Sequence, residues 1–131
     1  MITFLDTDVC ITILRGKEPS VESKLRDLPI TSVEVPSVVV AELWVGVHKS
    51  DHPTKAERKL ELFLRDLQTS PFDDGAARKY GEIRAALELQ GNTIGGNDLL
   101  IAAAVLSRAG RLITRNGREY SRVHGLQIET W

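Results

Sequence analysis

Short apolar runs alternate with longer helical patterns along the whole chain, and this alternation restricts the fold more than any other feature. The runs at residues 2–5, 33–35, 111–114 and 126–129 have the length and the partly β-branched composition of short buried strands. Between them lie segments whose apolar residues recur at helical spacing. Strands that alternate with helices favour a parallel sheet covered by helices on both faces. We therefore expect an α/β fold.

Glycine, proline and capping residues mark the ends of the helical segments. Pro53 suits a first helical turn, Asp73 suits an N-cap, and Gly16, Gly91 and Gly110 suit helix ends. The predicted helices are residues 7–14, 20–28, 38–47 with Ser37 as N-cap, 53–67, the segment from Asp73 to about Gly91, and 98–109.

Size and charge restrict the class of protein. The chain has 131 residues, which suits one domain spanning residues 1–131. With 17 Lys and Arg against 18 Asp and Glu, the net charge of -1 provides no global basic field. A nucleic-acid partner would have to be attracted by a local patch or through a bound cation.

Few features of the chain bear on its cellular compartment. Cys10 is the only cysteine, so an intramolecular disulfide is excluded, and no Cys/His cluster has the spacing of a zinc site. The longest apolar stretch, residues 38–47, is far shorter than the roughly 18 residues of a membrane helix, and the N-terminus does not resemble a signal peptide. We expect a soluble cytoplasmic protein that does not bind membranes.

Three carboxylates lie in otherwise apolar surroundings. Asp6 directly follows the first predicted strand, Glu42 is the only charged residue within 38–47, and Asp98 is the only one within 89–107. Structural explanations exist for each of them. Asp6 suits a helix cap, Asp98 suits a first helical turn opposing the dipole, and a buried Glu42 would be expected to pair with an arginine.

The order of the strands favours a common site. Ligands of parallel α/β sheets bind beyond the carboxyl ends of the strands, where Asp6 and Asn116 stand. If Glu42 and Asp98 also point there, two carboxylates about 4 Å apart repel by roughly 4 kcal/mol at an effective dielectric near 20. A divalent cation relieves this repulsion, and oxygen ligands select Mg²⁺ or Mn²⁺ over zinc. Such a site suits hydrolysis at a phosphate.

Basic residues near these acids are candidates for substrate binding. Arg115 and Arg118 flank Asn116, and Arg15 follows the first predicted helix. A basic rim of this kind could hold an anionic backbone around an acidic centre. The alternative for each arginine is an ordinary solvated surface charge.

Four segments carry a family resemblance over nearly the whole chain. They are Phe4-Leu5-Asp6-Thr7-Asp8, then Val40-Ala41-Glu42-Leu43 with Gly46, the run of residues 94–103 (IGGNDLLIAA), and Leu112-Ile113-Thr114-Arg115-Asn116 leading to Glu119, Tyr120 and Trp131. In this order and at this spacing, they resemble the PIN-domain ribonucleases, specifically the VapC-type toxins of prokaryotic toxin–antitoxin pairs.

The resemblance implies roles for individual residues. Asp6, Glu42 and Asp98 match the family's acidic triad, which holds Mg²⁺ or Mn²⁺ and activates water, and Asn116 falls where the family has a fourth Asp or an Asn. Glu119 is an alternative fourth acid, although its place one helical turn beyond Asn116 favours an outward orientation. Asp8 is interpreted as a helix cap or as an outer support of the site.

The resemblance also implies an architecture and partners. The expected fold is a three-layer α/β/α sandwich with a central, mostly parallel sheet, which is PIN-like and Rossmann-like. The expected protein is a homodimer that acts as a metal-dependent endoribonuclease on RNA and binds a cognate VapB-like antitoxin whose C-terminal segment covers the cleft.

Two other function classes compete with this interpretation. Asp6-Thr7-Asp8 after a strand also resembles the start of the haloacid-dehalogenase-type phosphatases, in which Asp6 would be a covalent nucleophile, but no second acid lies close to Asp98. A non-catalytic receiver-like module would also use an acidic Mg²⁺ pocket. It would need a lysine beyond a late strand, whereas no lysine follows Lys79.

Overall fold

A five-stranded parallel sheet forms the centre of the computed structural model, which describes residues 1–131. The strand order is β3-β2-β1-β4-β5, so β1 is the middle strand and pairs with β2 and β4. The strands are β1 (Thr3–Leu5), β2 (Val33–Pro36), β3 (Gln68–Ser70), β4 (Arg111–Ile113) and β5 (Gln127–Glu129).

Seven helices and one short 3₁₀ turn connect the strands. They are α1 (Thr7–Arg15), α2 (Pro19–Arg26), the 3₁₀ turn Ile30–Ser32, α3 (Ser37–Lys49), α4 (Pro53–Leu64), α5 (Asp74–Leu89), α6 (Gly96–Ser107) and α7 (Gly117–Tyr120). The most extensive helix pairing is between α5 and α6, and α3 packs against α4. The expected three-layer α/β/α sandwich is confirmed, with a sheet that is entirely rather than mostly parallel. None of the helices is both long and apolar enough to span a membrane.

The predicted strands and helices correspond closely to the observed ones, with two corrections. The sequence did not predict β3, because Gln68 and Thr69 are polar and exposed and the strand lies at the edge of the sheet. Ser37 is not the N-cap of α3 but its first helical residue. Since β2 runs directly into α3, Pro36 occupies the capping position. Asp73 does cap α5, accepting a hydrogen bond from the Ala76 amide at 3.0 Å.

The core includes the middle strands of the sheet and the buried face of α6. Phe4, Leu5, Leu112 and Ile113 of the paired strands β1 and β4 are fully buried, as is most of the run at residues 101–105 of α6. Buried aliphatic side chains on both sides of a parallel pair hold the two strands at fixed register. The carboxyl ends of β1 and β4 are therefore held side by side.

The turn between α6 and β4 requires a glycine. A Cβ atom on Gly110 would lie 2.4 Å from the ring of Phe4 and 2.8 Å from the carbonyl oxygen of Ile2. No side chain fits at these distances, so the absence of one allows α6 to return into the sheet directly beside β1.

A buried acid is paired with an arginine at the end of α6 remote from Asp98. Glu34 of β2 is buried and accepts a hydrogen bond from Arg108 at 3.1 Å, and the same guanidinium donates to the buried Ser70 hydroxyl at 3.2 Å. A charge is tolerated inside a protein when it is paired in this way. The contact connects the C-terminus of α6 to β2 and β3.

Candidate active site

Asp6 lies where β1 ends and α1 begins. Its Oδ1 accepts a hydrogen bond from the Thr7 amide at 2.8 Å, so that Asp6 is the N-cap of α1. Its Oδ2 accepts one from the Thr114 hydroxyl at 2.6 Å. Thr114 follows β4 and is fully buried, and Asp6 itself is buried. The helix-cap explanation and the site prediction therefore both apply to Asp6.

Asp98 approaches Asp6 from the first turn of α6. Its Oδ1 accepts a hydrogen bond from the Tyr120 hydroxyl at 3.0 Å, and its Oδ2 accepts one from the Asn116 side-chain amide at 3.3 Å. The Tyr120 hydroxyl is also 3.3 Å from Oδ1 of Asp6. One hydroxyl group thus lies between the two carboxylates.

Glu119 faces the site, and the outward orientation expected from the sequence is wrong. The Asn116 amide is 3.3 Å from both a Glu119 and an Asp98 carboxylate oxygen. Asn116 directly precedes α7, and residues three apart on a helix lie on the same face. Because α7 begins at this point, Glu119 turns back beside Asn116 and towards Asp98.

Glu42 lies beside the other acids, in contact with the residue that follows Asp6. Its Oε1 accepts a hydrogen bond from the Thr7 hydroxyl at 2.8 Å, and it makes no ion pair with any arginine. The sequence suggested that α3 is buried on most sides. In the structure the helix buries only one stripe and exposes Val45, so Glu42 is half-buried.

Asp8 supports the loop that carries the arginines. Its Oδ2 accepts a hydrogen bond from the Arg115 amide at 3.1 Å, while its Oδ1 is buried without a partner. Because Asp6 caps α1, the cap role predicted for Asp8 is wrong, and the outer-support interpretation describes its contact with the segment after β4.

The crowded, unpaired carboxylates of the site favour the binding of a cation. Burial, together with the charges of Asp8 and Asp98, raises the pKa of Asp6 to about 6 against the lowering effect of its Thr114 hydrogen bond. Burial, Glu119 and Glu42 raise the pKa of Asp98 to about 6. No Lys, Arg or His nitrogen lies within 4.0 Å of a carboxylate oxygen of Asp6, Glu42, Asp98 or Glu119.

The donor set fits a hard divalent cation, although the ligands are not arranged as a closed cage. Carboxylate, hydroxyl and amide groups line the site, and oxygen donors are those preferred by Mg²⁺ and Mn²⁺. No three His, Cys, Asp or Glu side chains converge at metal-binding spacing. The Tyr120 hydroxyl and the Asn116 amide instead occupy the space between the acids.

The three arginines predicted to bind substrate lie close to the site, and they differ in whether their guanidinium group is already paired. Arg115 forms a two-point ion pair with Glu18, in which Nη1 donates to Oε1 at 3.0 Å and Nη2 contacts Oε2. Arg118 is exposed on α7. Arg15 is exposed beside Glu42 on a groove of about 380 Å³ between α1, α3 and α4.

Tyr120 belongs to the site but could not be predicted as a site residue from the sequence. The residues around Tyr120 are polar or charged and do not mark it as part of the site, and its ring is fully buried. The pattern gave no signal for the direction of the hydroxyl. Thr114 was part of a recognised segment, but its contact with Asp6 depends on the pairing of β1 with β4.

The fold and this acidic edge of the sheet define a known class of nucleases. The family model described as PIN domain matches residues 3–126. The chain belongs to the PIN-domain family.

Comparison with individual proteins narrows the class further. The chain is 36% identical over 132 residues to Ribonuclease VapC2 of Rickettsia felis, covering 100% of this chain and 98% of the relative. It is 35% identical over 127 residues to the tRNA(fMet)-specific endonuclease VapC of Shigella flexneri, covering 97% of this chain and 96% of that relative. The crystal structure of VapBC2 from Rickettsia felis bound to a promoter DNA fragment matches with a TM-score of 0.94 and 34% identity, covering 100% of this chain and 99% of that chain. The chain is thus a nuclease of the VapC group, the ribonuclease toxins of toxin–antitoxin pairs.

Proposed function

We propose that this toxin hydrolyses RNA phosphodiester bonds with a divalent cation, Mg²⁺ or Mn²⁺, held by Asp6, Asp98 and Glu42. VapC nucleases of the PIN family in general depend on a divalent cation. The observation that carries the proposal is the convergence of Asp6 and Asp98 on one hydroxyl, with Glu119 beside them and no basic side chain to balance their charge.

The chain's own residues have distinct tasks in this proposal. A cation bound among the acids lowers the pKa of water and balances the charge that develops on the phosphate. Asp6 is oriented for this by Thr114 and the start of α1. Asn116 cannot add charge, and its amide instead holds Asp98 and Glu119 together. Glu119 supplies the fourth negative charge that an aspartate at position 116 would otherwise provide.

The substrate is held by the arginines around the acids. RNA backbones are bound chiefly by Arg and Lys contacts to phosphate. Arg15, Arg115 and Arg118 are the candidates, and RNA would have to displace Glu18 to reach Arg115. We place the reaction in the cytoplasm, where such a substrate is found.

The partner we propose is a VapB-like antitoxin. The structural neighbours from Rickettsia felis and Salmonella typhimurium are VapBC complexes. The groove beside Glu42 is open and partly apolar, lined by Ile11, Leu14, Leu43 and Leu60, and is large enough for side chains of such a partner. We propose a homodimer as the toxin's own assembly, which light scattering of the purified chain measures.

Cleavage of RNA by antitoxin-free protein tests the proposed function. We expect cleavage with Mg²⁺ or Mn²⁺, no cleavage in EDTA, and a loss of at least about 100-fold in Asp6→Asn and Asp98→Asn, because each removes a charge that holds the cation. Asp51→Asn is the matched control, since Asp51 is exposed on the loop before α4. It should cleave at the wild-type rate.

Two results would contradict the proposal. Full activity in EDTA would show that cleavage needs no divalent cation. Full activity in Asp98→Asn would show that cleavage does not need the Asp98 carboxylate. A phosphorylated Asp6 trapped with a phosphate monoester would instead support phosphatase chemistry. Sequencing of the RNA ends after controlled expression would identify the RNA and the bond that are cut.

A further inference from the structure

The Tyr120 hydroxyl has no assigned task in the proposed cleavage, although it touches both central acids. The tyrosine ring is fully buried, and its oxygen lies 3.0 Å from Oδ1 of Asp98 and 3.3 Å from Oδ1 of Asp6. A buried tyrosine hydroxyl requires a polar partner. This one has two, and both are carboxylates.

The hydroxyl joins three separate elements. Asp6 caps α1 after β1, Asp98 lies in the first turn of α6, and Tyr120 is the last residue of α7 beyond β4. Asp6 and Asp98 are otherwise held by different residues, Thr114 and Asn116, and their like charges repel each other. Since both oxygens lie within hydrogen-bonding distance of one atom, their separation cannot exceed the sum of the two distances.

The chemistry of a tyrosine hydroxyl suits this position. A tyrosine hydroxyl is neutral at physiological pH and carries one O–H donor. It has one proton for two acceptors, which leaves lone pairs on both carboxylates free to bind a cation. A basic side chain here would instead balance the charge and compete with the cation.

We propose that Tyr120 is a positioning residue, whose hydroxyl sets the spacing and orientation of the Asp6 and Asp98 carboxylates for the divalent cation. The inference rests on the proposed function, because it assumes that these acids hold the cation. Groups that hydrogen-bond to metal-binding side chains orient them, and their loss typically weakens metal binding by about 10-fold to 100-fold.

Tyr120→Phe isolates the hydroxyl, because phenylalanine preserves the buried ring. The matched control is Tyr80→Phe, since Tyr80 is the only other tyrosine and its hydroxyl accepts a hydrogen bond from Arg84 on an exposed helix face. The direct measurement is titration with Mn²⁺ alone, without RNA, with free Mn²⁺ followed by electron paramagnetic resonance. Circular dichroism establishes that both variants are folded at the temperature of the titration.

We expect Tyr120→Phe to bind Mn²⁺ at least about 10-fold more weakly than wild type, and Tyr80→Phe to bind it equally well. In RNA cleavage, the Mn²⁺ concentration for half-maximal activity should rise by the same factor, whereas the rate at saturating Mn²⁺ should approach that of wild type. A merely structural role would lower the rate at saturation and leave the half-maximal concentration unchanged.

The outcomes separate this inference from the proposed function. Wild type that binds Mn²⁺ and cleaves RNA, with equal or tighter Mn²⁺ binding by Tyr120→Phe, overturns only the role of Tyr120. Wild type that binds no Mn²⁺ overturns the cation site and the role of Tyr120 together.

Discussion

Asp6 illustrates how single residues of the site lower the stability of the cation-free fold. The pKa of its buried carboxyl is raised from 3.8 to about 6. Between these pH values the folded protein binds more protons than the unfolded chain, so the free energy of unfolding falls as pH rises. A shift of this size corresponds to about 3 kcal/mol at neutral pH for Asp6. The raised pKa of Asp98 also lowers the free energy of unfolding as pH rises, but less strongly because Asp98 is more exposed.

We expect the thermal stability of the protein in EDTA to be higher at pH 5 than at pH 7.5, as measured by circular dichroism. Mn²⁺ at pH 7.5 should restore the loss, because a ligand that binds only the folded state stabilises it. Glu18, whose pKa is lowered by its Arg115 hydrogen bond, affects stability with the opposite sign, but only below its ordinary value of 4.5.

Asp98→Asn tests whether repulsion among the acids of the site causes this loss of stability. In EDTA at pH 7.5 the variant should melt about 3–5 °C above wild type, since it removes one of the repelling charges, and its stability should depend less on pH. Asp51→Asn should leave both properties unchanged. A wild-type protein whose stability rises between pH 5 and pH 7.5 would contradict this explanation.

The elements position the site through the pairing of β1 with β4, and the junction between α6 and β4 controls that pairing. Gly110 lies against Phe4 and Ile2 of the N-terminal segment with no room for a Cβ atom. The same strands carry Asp6 and Thr114 at their other ends. Any displacement at the junction would therefore act on both stability and the site.

We expect Gly110→Ala to lower the free energy of unfolding by about 3 kcal/mol, because the added methyl group must displace a buried ring and a backbone carbonyl. Gly81→Ala is the control. Gly81 lies within α5, nothing stands within 4 Å of the position that an added methyl group would take, and alanine should stabilise the helix by about 0.5–1 kcal/mol. Urea denaturation measures both values, and equal effects of the two substitutions would refute the close-approach argument.

At the scale of the whole molecule, the net charge of -1 is distributed unevenly between the site and the rest of the surface. The acids of the site are unpaired, whereas many surface acids form ion pairs, among them Asp74 with Arg78 and Glu88 with Arg84. An RNA strand therefore meets a locally acidic centre. Binding must depend on a cation in the site and on a small number of arginines, not on a long-range basic field.

We expect RNA affinity to depend only weakly on salt. Three phosphate contacts, from Arg15, Arg115 and Arg118, predict a slope of about -2 for the logarithm of the binding constant against that of the salt concentration. The measurement uses single-stranded RNA, the inactive Asp98→Asn variant and one fixed Mn²⁺ concentration, high enough to offset the weaker cation binding of this variant. Arg118→Gln should make the slope shallower by about 0.7.

Arg78→Gln changes the net charge by the same amount but removes an arginine that is already paired with Asp74 on α5. It should leave the slope unchanged. Equal slopes in the Arg118 and Arg78 variants would show that overall charge, rather than the predicted rim, governs RNA binding.

Local sequence information was sufficient for the alternating architecture and for the identity of most acids in the site. Apolar periodicity, glycines and capping residues act over a few neighbouring positions, so four of the five strands and all the long helices could be predicted. The exception, β3, has no apolar face because it is an edge strand with exposed Gln68 and Thr69. Glu42 was predicted to lie near the acids, and its degree of burial depended on which side of α3 is covered.

The sequence by itself determined the α/β order, the acids that follow the strands and the oxygen-only chemistry, because these properties reside in residue types and their spacing. Only the tertiary structure decided that Glu119 turns inward, that Arg115 is held by Glu18, and that the Tyr120 hydroxyl lies between Asp6 and Asp98. The contacts of Arg115 and Tyr120 join residues that are 22 to 114 positions apart. Their geometry is set by the pairing of β1 with β4 and the packing of α6, which no local pattern encodes.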